Sequence, residues 1–108
     1  MEISPENVME TRKHYAKLQT PFDVFDNVVG FYAWLWDECY GKERITEGEF
    51  AKLAKVDFTI ARQRCEELHG RSMSDEHFEQ TALSWLLIEY GECEMADDFR
   101  LRPWRFAA

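Results

Sequence analysis

Residues 21–40, PFDVFDNVVGFYAWLWDECY, constrain the fold of this chain more than any other stretch, because they hold seven of its sixteen aromatic residues. On a helical wheel of 100° per residue, the apolar side chains cover an arc broader than a surface helix needs. We therefore predict one helix of about five turns, packed on two or three sides. Thr20-Pro21 is a typical helix start, and Gly41 is expected to end the helix.

The polar side of this predicted helix is narrow and acidic. It consists of Asp23, Asp26, Asn27, Gly30, Trp34, Asp37 and Glu38. A Trp among carboxylates suits an anchor that meets a basic partner. The alternative is that another part of the chain covers Trp34, because most large aromatic side chains belong to the core.

Composition narrows the class of protein. A chain of 108 residues that is 45% hydrophobic and 15% aromatic fits one folded domain, residues 1–108. A net charge of −8 argues against non-specific binding to nucleic acid or to an anionic membrane. Three cysteines do not make a disulfide framework, and we see no secretory or membrane-spanning segment. We expect a cytoplasmic protein.

Four further helices are expected. The first begins at Ser4-Pro5, and the capping box Thr46-Glu47-Gly48-Glu49 opens a short one. A turn at residues 55–57 separates this short helix from the next, residues 58–69. The last long helix, residues 75–90, follows Ser72 or Ser74, is apolar nearly all round, and should pack on helix 21–40. We expect the aromatic and Arg-rich tail, residues 91–108, to dock on this bundle, with its arginines on carboxylates or aromatic faces.

Charge is segregated along the sequence. Residues 18–41 contain four acidic residues and residues 72–99 contain eight, and neither stretch has a Lys or Arg. If the two stretches form neighbouring helices, their outward side chains make one negative surface that suits a Lys/Arg-rich partner. The alternative is a solvated face that only keeps the protein soluble. The candidate partner-binding residues are Asp23, Asp26, Asn27, Trp34, Asp37, Glu38, Asp75, Glu76 and Glu79.

A second pattern lies in residues 46–70. The segment FAKLAKVDFTIARQRCEELHG resembles the helix-turn-helix of bacterial transcription regulators, with Phe50-Ala51 in its first helix, Val56-Asp57 at its turn and Ala61-Arg62 in its recognition helix. The resemblance implies a DNA-binding regulator, which is the second hypothesis, because a plain αα-hairpin gives the same apolar pattern. The residues that would serve DNA binding are Thr59, Ile60, Arg62, Gln63 and Arg64, beside Phe58.

Other chemistry finds little support in the sequence. Cys65, His69 and His77 lack the spacing of a zinc site, and the acids of residues 92–98 lack that of a calcium loop. No nucleophile elbow, phosphate loop or dinucleotide fingerprint is present. We therefore expect no enzyme activity, no metal and no cofactor.

These observations predict an all-α, compact single-domain bundle of about five helices with two central aromatic-rich helices. The leading hypothesis is a small acidic inhibitor or regulator that blocks a basic surface of a partner protein, a nucleic-acid-binding complex being one such partner. In composition and size it is similar to small phage or plasmid inhibitors, such as anti-CRISPR proteins and DNA mimics, and to toxin-immunity proteins. It would act as a monomer or a homodimer.

Overall fold

The structure, a computed structural model, describes residues 5–102. Its elements are α1 (Pro5–Ala16), α2 (Pro21–Trp34), a π-helical segment (Leu35–Tyr40), α3 (Glu47–His69), α4 (Asp75–Tyr90) and α5 (Glu94–Leu101). No strand occurs within this range. The predicted all-α bundle of about five helices is confirmed. The expected cap at Ser4 and the end of the tail, residues 103–108, lie outside the described residues.

Side-chain caps fix the starts of three helices. The hydroxyl of Thr20 accepts from the backbone N–H of Asp23 at 3.2 Å, and Pro21 follows it in the first turn. Thr46 and Glu49 form the reciprocal capping box predicted from the sequence, with bonds of 3.1 and 2.9 Å. Ser74 rather than Ser72 caps α4. These local signals place the helix starts independently of tertiary packing.

The core is built around α2, as its broad apolar arc predicts. Val24, Val28 and Leu35 are fully buried, and Tyr32 meets rings of α3 and α5 edge to face at 5.3 and 5.1 Å. The predicted packing of residues 75–90 on α2 is confirmed, because the Phe78 ring stacks on Phe25 at 5.0 Å. Since α2 is covered on several sides, mainly a narrow stripe remains for solvent, together with Phe22, which is 61% exposed at the start of the helix.

Helix α2 continues into a π-helical segment, so the predicted helix 21–40 exists but changes type at Leu35. The backbone N–H of Gly41 donates to the carbonyl of Trp36 at 2.7 Å, a wider turn than that of an α-helix. Gly41 sits so close to this turn that a Cβ would lie 2.8 Å from the carbonyl oxygen of Asp37. The segment therefore ends at a position that has no room for a side chain.

The predicted turn at residues 55–57 is wrong. Helix α3 runs without a break from Glu47 to His69, and the hydroxyl of Thr59 donates to the carbonyl of Lys55 at 2.9 Å, inside the helix. Lys, Val and Asp include no helix breaker, and the side chain of Asp57 is buried instead of serving a turn. One 23-residue helix therefore replaces the two expected helices.

The described part of the tail forms α5 and packs on the bundle. Tyr32 donates to the carboxylate of Asp98 at 2.8 Å, and Arg102 pairs with the same carboxylate. The guanidinium of Arg102 also lies 4.6 Å from the centre of the Phe50 ring. These contacts join α5 to α2 and α3 through both charge and aromatic packing.

Candidate docking surface along the second helix

The exposed side of α2 and of the π-helical segment forms what we call the acidic stripe. It consists of Asp23, Asp26, Asn27, Gly30, Trp34, Asp37 and Glu38. Trp34 is 44% exposed and stacks on Phe31, with ring centres 5.7 Å apart. A partly exposed indole held by a neighbouring ring has little rotamer freedom to lose on binding, which is a property of good anchors.

One side of the stripe borders a groove of about 690 Å³, which we call the Trp34 groove. Trp34 and Trp36 line one wall, and Tyr90 at the end of α4 and Met95 in α5 line the other. Asp37, Glu38 and Glu94 stand at its rim. The groove thus combines apolar walls with carboxylates, the composition of an interface core and its rim.

Glu38, in the π-helical segment, forms an ion pair with Lys42, which lies just beyond the end of that segment. Lys42 lies 2.6 Å from its Oε2 atom, and this hydrogen bond lowers the pKa of Glu38 below its ordinary value. Both side chains are exposed, so the pair contributes little to stability. Glu38 is therefore ionised and able to exchange Lys42 for another base.

The other side of the stripe borders a second groove, between α1 and α2, of about 530 Å³, which we call the α1–α2 groove. Gly30 lines both grooves, and a Cβ added there would meet no atom within 4 Å. Gly30 therefore lies between the two grooves and leaves the surface of α2 open there.

Asp57 of α3 lies against this second groove and is only 4% exposed. The Tyr15 hydroxyl lies 3.0 Å from each of its carboxylate oxygens. Burial raises the pKa of Asp57 to about 8, although the Tyr15 hydrogen bond opposes this. Burial also raises the pKa of Tyr15, and the negative charge of Asp57 adds to this rise. The buried carboxyl group of Asp57 is therefore largely protonated at neutral pH.

Asn27 fixes the position of α1 beside the stripe. Its side-chain oxygen lies 2.8 Å from the Nε2 atom of His14, and its amide nitrogen donates to the carbonyl of Asp23 at 2.8 Å. Both polar ends of Asn27 therefore have partners within the chain. Asn27 lies on the stripe side of α2, but its hydrogen bond to His14 holds α1 against α2 along the wall of the α1–α2 groove.

Asp26 faces a second carboxylate. The side chain of Glu89, from α4, hydrogen-bonds with Asp26, and this contact is the first cause of a pKa of Glu89 raised to about 7. Two carboxylates that share a proton at the surface repel each other when both are ionised. A cation placed between them would remove that repulsion.

The acids at the start of α4 are placed elsewhere. Nε of Arg62 lies 2.7 Å from Oδ1 of Asp75, although its N–H does not point at that oxygen. Asp75 and Glu79 line a small groove with Lys55 and Arg62, and this groove shares no lining residue with the two grooves of the stripe. Glu76 is exposed on the same first turn. Of the second acidic stretch, Glu89 and Glu94 therefore reach the stripe or its groove, whereas Asp75, Glu76 and Glu79 do not.

The residues expected to read DNA do not form an open reading surface. Ile60 is buried, and Thr59 bonds within its own helix. Arg62 pairs with Glu66, and Arg64 pairs with Glu67 and donates to the carbonyl of Leu18 at 2.6 Å. Gln63 alone of the five is fully exposed. With the turn at residues 55–57 missing as well, the geometry that a helix-turn-helix needs is absent from α3.

Residues 5–102 offer neither a metal site nor a membrane-spanning helix. No cluster of three or more His, Cys, Asp or Glu side chains there is arranged to hold a metal ion. No helix in that part of the chain is long and apolar enough to cross a bilayer. Cys39, Cys65 and Cys93 are free thiols.

Sequence reasoning missed Asp57, Tyr15 and Glu89. A signal for Asp57 was present, because in one continuous helix it falls in phase with Ala54 and Ala61 on the apolar side of α3. The turn wrongly predicted at residues 55–57 assigned Asp57 to a loop, so this helical periodicity was not recognised. Glu89 gave no such signal, since its pairing with Asp26 depends on how α4 crosses α2.

Comparison with known proteins adds nothing to this geometry: no protein-family model, curated protein or solved structure matches the chain.

Proposed function

We propose that this protein is a non-enzymatic binding protein that docks its acidic stripe on a basic surface of a partner protein and blocks that surface. The observation that carries the proposal is Trp34, which is 44% exposed and lines a groove, in a stretch with no Lys or Arg from residue 18 to 41. An exposed indole surrounded by carboxylates serves no evident purpose within the described fold.

Trp34 supplies the desolvated anchor in this proposal. Trp, Tyr and Arg are the residue types that dominate the binding energy of interfaces, and they act best in the middle of a patch that excludes water. The Trp34 groove gives the partner an apolar slot beside the indole, and Tyr90 on its far wall offers a second ring. The partner would therefore contribute a Lys or Arg side chain whose aliphatic part lies on these rings.

The carboxylates supply attraction over distance and fix the orientation. Asp26 and Asp37 are exposed along α2 and its π-helical extension, and Asp23 is half-buried near the start of the same stripe. Opposite charge speeds association and weakens as salt rises. A partner whose basic surface binds nucleic acid would lose access to it by simple steric exclusion.

The test is capture of the partner from a host-cell lysate treated with nuclease, with the purified protein and its Asp26→Lys/Asp37→Lys double variant as baits. We expect the wild-type bait to retain a basic protein that elutes as salt rises. The double variant should retain at least about tenfold less, because it replaces two attractive charges by repulsive ones.

The matched control is Glu67→Lys/Glu76→Lys, which changes the net charge equally at two exposed positions that line neither groove. It should capture as much partner as the wild type. Equal loss in both double variants would mean that only net charge matters, and would refute a docking surface along α2. Capture of nucleic acid alone would refute the proposal as a whole.

A further inference from the structure

The α1–α2 groove has the size of a ligand cleft and an uncommon floor. Its volume of about 530 Å³ falls inside the range of roughly 300–1,000 Å³ that holds small ligands or side chains. The floor is the carboxyl group of Asp57, and the rim carries Glu10 and Asp26. The groove is therefore shaped and charged for a cation.

The ionised carboxylate of Asp57 is short of hydrogen-bond donors. The Tyr15 hydroxyl lies equally near both oxygens, but a hydroxyl has one proton and can satisfy one oxygen at a time. The second oxygen of the ionised form would therefore be buried without a donor from the described residues, which makes the charged form costly in the free protein. A guanidinium has parallel N–H groups that could serve that oxygen and a neighbouring acceptor together.

Two more features of the groove favour a planar cation. The rings of Phe31, His14 and Tyr15 line it, and guanidinium groups stack on aromatic faces. At the rim, Asp26 is hydrogen-bonded to Glu89, a pair of like charges that a cation would relieve. The floor, the walls and the rim thus point to the same ligand chemistry.

We infer that the α1–α2 groove receives one arginine side chain, with its guanidinium on Asp57 at the floor and its stem between the aromatic rings. This inference rests on the proposed function, since it names the side chain that the basic partner would insert. Binding displaces the proton of Asp57 to solvent and leaves a carboxylate–guanidinium ion pair. Gly30 leaves the entrance open, because no side chain stands between the two grooves there.

The experiment uses the purified full chain and the probe N-acetyl-arginine amide, followed by backbone NMR at constant ionic strength and pH 8.5, where the Asp57 carboxyl is readily ionised. The neutral isostere N-acetyl-citrulline amide is the matched ligand. We expect saturable shifts around Tyr15 and Gly30 with a dissociation constant on the order of 1–10 mM for arginine, and at least tenfold weaker binding of citrulline.

Two variants locate the site. Asp57→Asn keeps an oxygen for the Tyr15 hydroxyl, so it should fold, and it should weaken arginine binding at least about tenfold. Gly30→Leu fills the entrance and should abolish saturable binding through sterics alone. Asp97→Asn removes an exposed carboxylate of α5, outside the groove, and should bind arginine as the wild type does.

Equal binding of arginine and citrulline, absence of saturable shifts, or an unchanged affinity in Asp57→Asn would each overturn the inference. These results are separable from the fate of the proposed function. If free arginine fails to bind but the acidic stripe still captures a partner in the lysate experiment, the groove assignment is wrong and the docking proposal stands.

Discussion

At the scale of single residues, Asp57 is the side chain whose chemistry departs most from what its sequence neighbours suggest. It occupies an apolar position of α3, and its carboxyl group is held by one tyrosine hydroxyl. A buried acid with too few donors lowers the stability of the free protein. Such a cost is common at sites that a ligand completes.

The sign of its effect on stability follows from the pKa. In the folded protein the pKa of Asp57 is about 8, against an ordinary value of 3.8. Between these two pH values the folded chain holds a proton that the unfolded chain has lost. The stability that the raised pKa of Asp57 contributes is therefore complete below about pH 4 and is lost as pH rises through 8. Glu89 acts in the same direction, with a pKa of about 7.

We accordingly predict that Asp57→Asn removes much of the loss of stability at alkaline pH. At pH 9 the free energy of unfolding of the variant should exceed that of the wild type by on the order of 2–3 kcal/mol, and at pH 4 the two should be close. Urea denaturation at both pH values measures this. Parallel pH profiles for the two proteins would show that Asp57 does not carry a displaced pKa.

At the scale of elements, the π-helical segment carries Asp37 and Glu38 and directly follows Trp34, the last residue of α2. Such segments are rare and are often found at functional sites. Here it ends at Gly41, where an added Cβ would lie 2.8 and 2.9 Å from two backbone carbonyl oxygens. The wide turn therefore depends on a glycine for close approach, although the φ angle of −62° is ordinary.

We predict that Gly41→Ala destabilises the protein by about 1–3 kcal/mol, because backbone rather than a flexible side chain must move to admit the methyl group. Gly48→Ala, in the first turn of α3, is the control. A Cβ added at Gly48 would lie 3.9 Å from its nearest neighbouring atom, so Ala should stabilise the helix by about 0.5–1 kcal/mol. Thermal unfolding of the two variants separates the effects. A Gly41→Ala protein as stable as the wild type would contradict the close approach.

The elements also show what a single sequence can predict. The starts of α2 and α3 are determined by local capping residues, Thr20-Pro21 and the Thr46–Glu49 capping box. Both starts were therefore predicted correctly. The π-helical segment was not predictable, because an apolar arc looks the same whether the turn is α or π. The continuity of α3 could have been predicted, since no Gly or Pro interrupts residues 49–69.

At the scale of the whole molecule, the charge pattern divides into regions with different surroundings. Arg62 and Lys55 lie beside the acids at the start of α4, whereas the stripe along α2 has Lys42 beside Glu38 and grooves on both sides. The negative sign of both acidic stretches could be predicted from the sequence, but their positions in space could not. The proposed docking surface is accordingly narrower than the sequence suggested and excludes Asp75, Glu76 and Glu79.

The measurement that tests the central claim most directly is the affinity of the captured partner for Trp34→Ala, with Leu101→Ala as control. Leu101 is 82% exposed at the end of α5, so its truncation removes apolar surface away from both grooves. We predict that Trp34→Ala weakens binding about 30-fold or more, the loss expected for a hot spot of at least 2 kcal/mol, and that Leu101→Ala changes it less than about twofold. Equal affinities of both folded variants for the partner would contradict the claim.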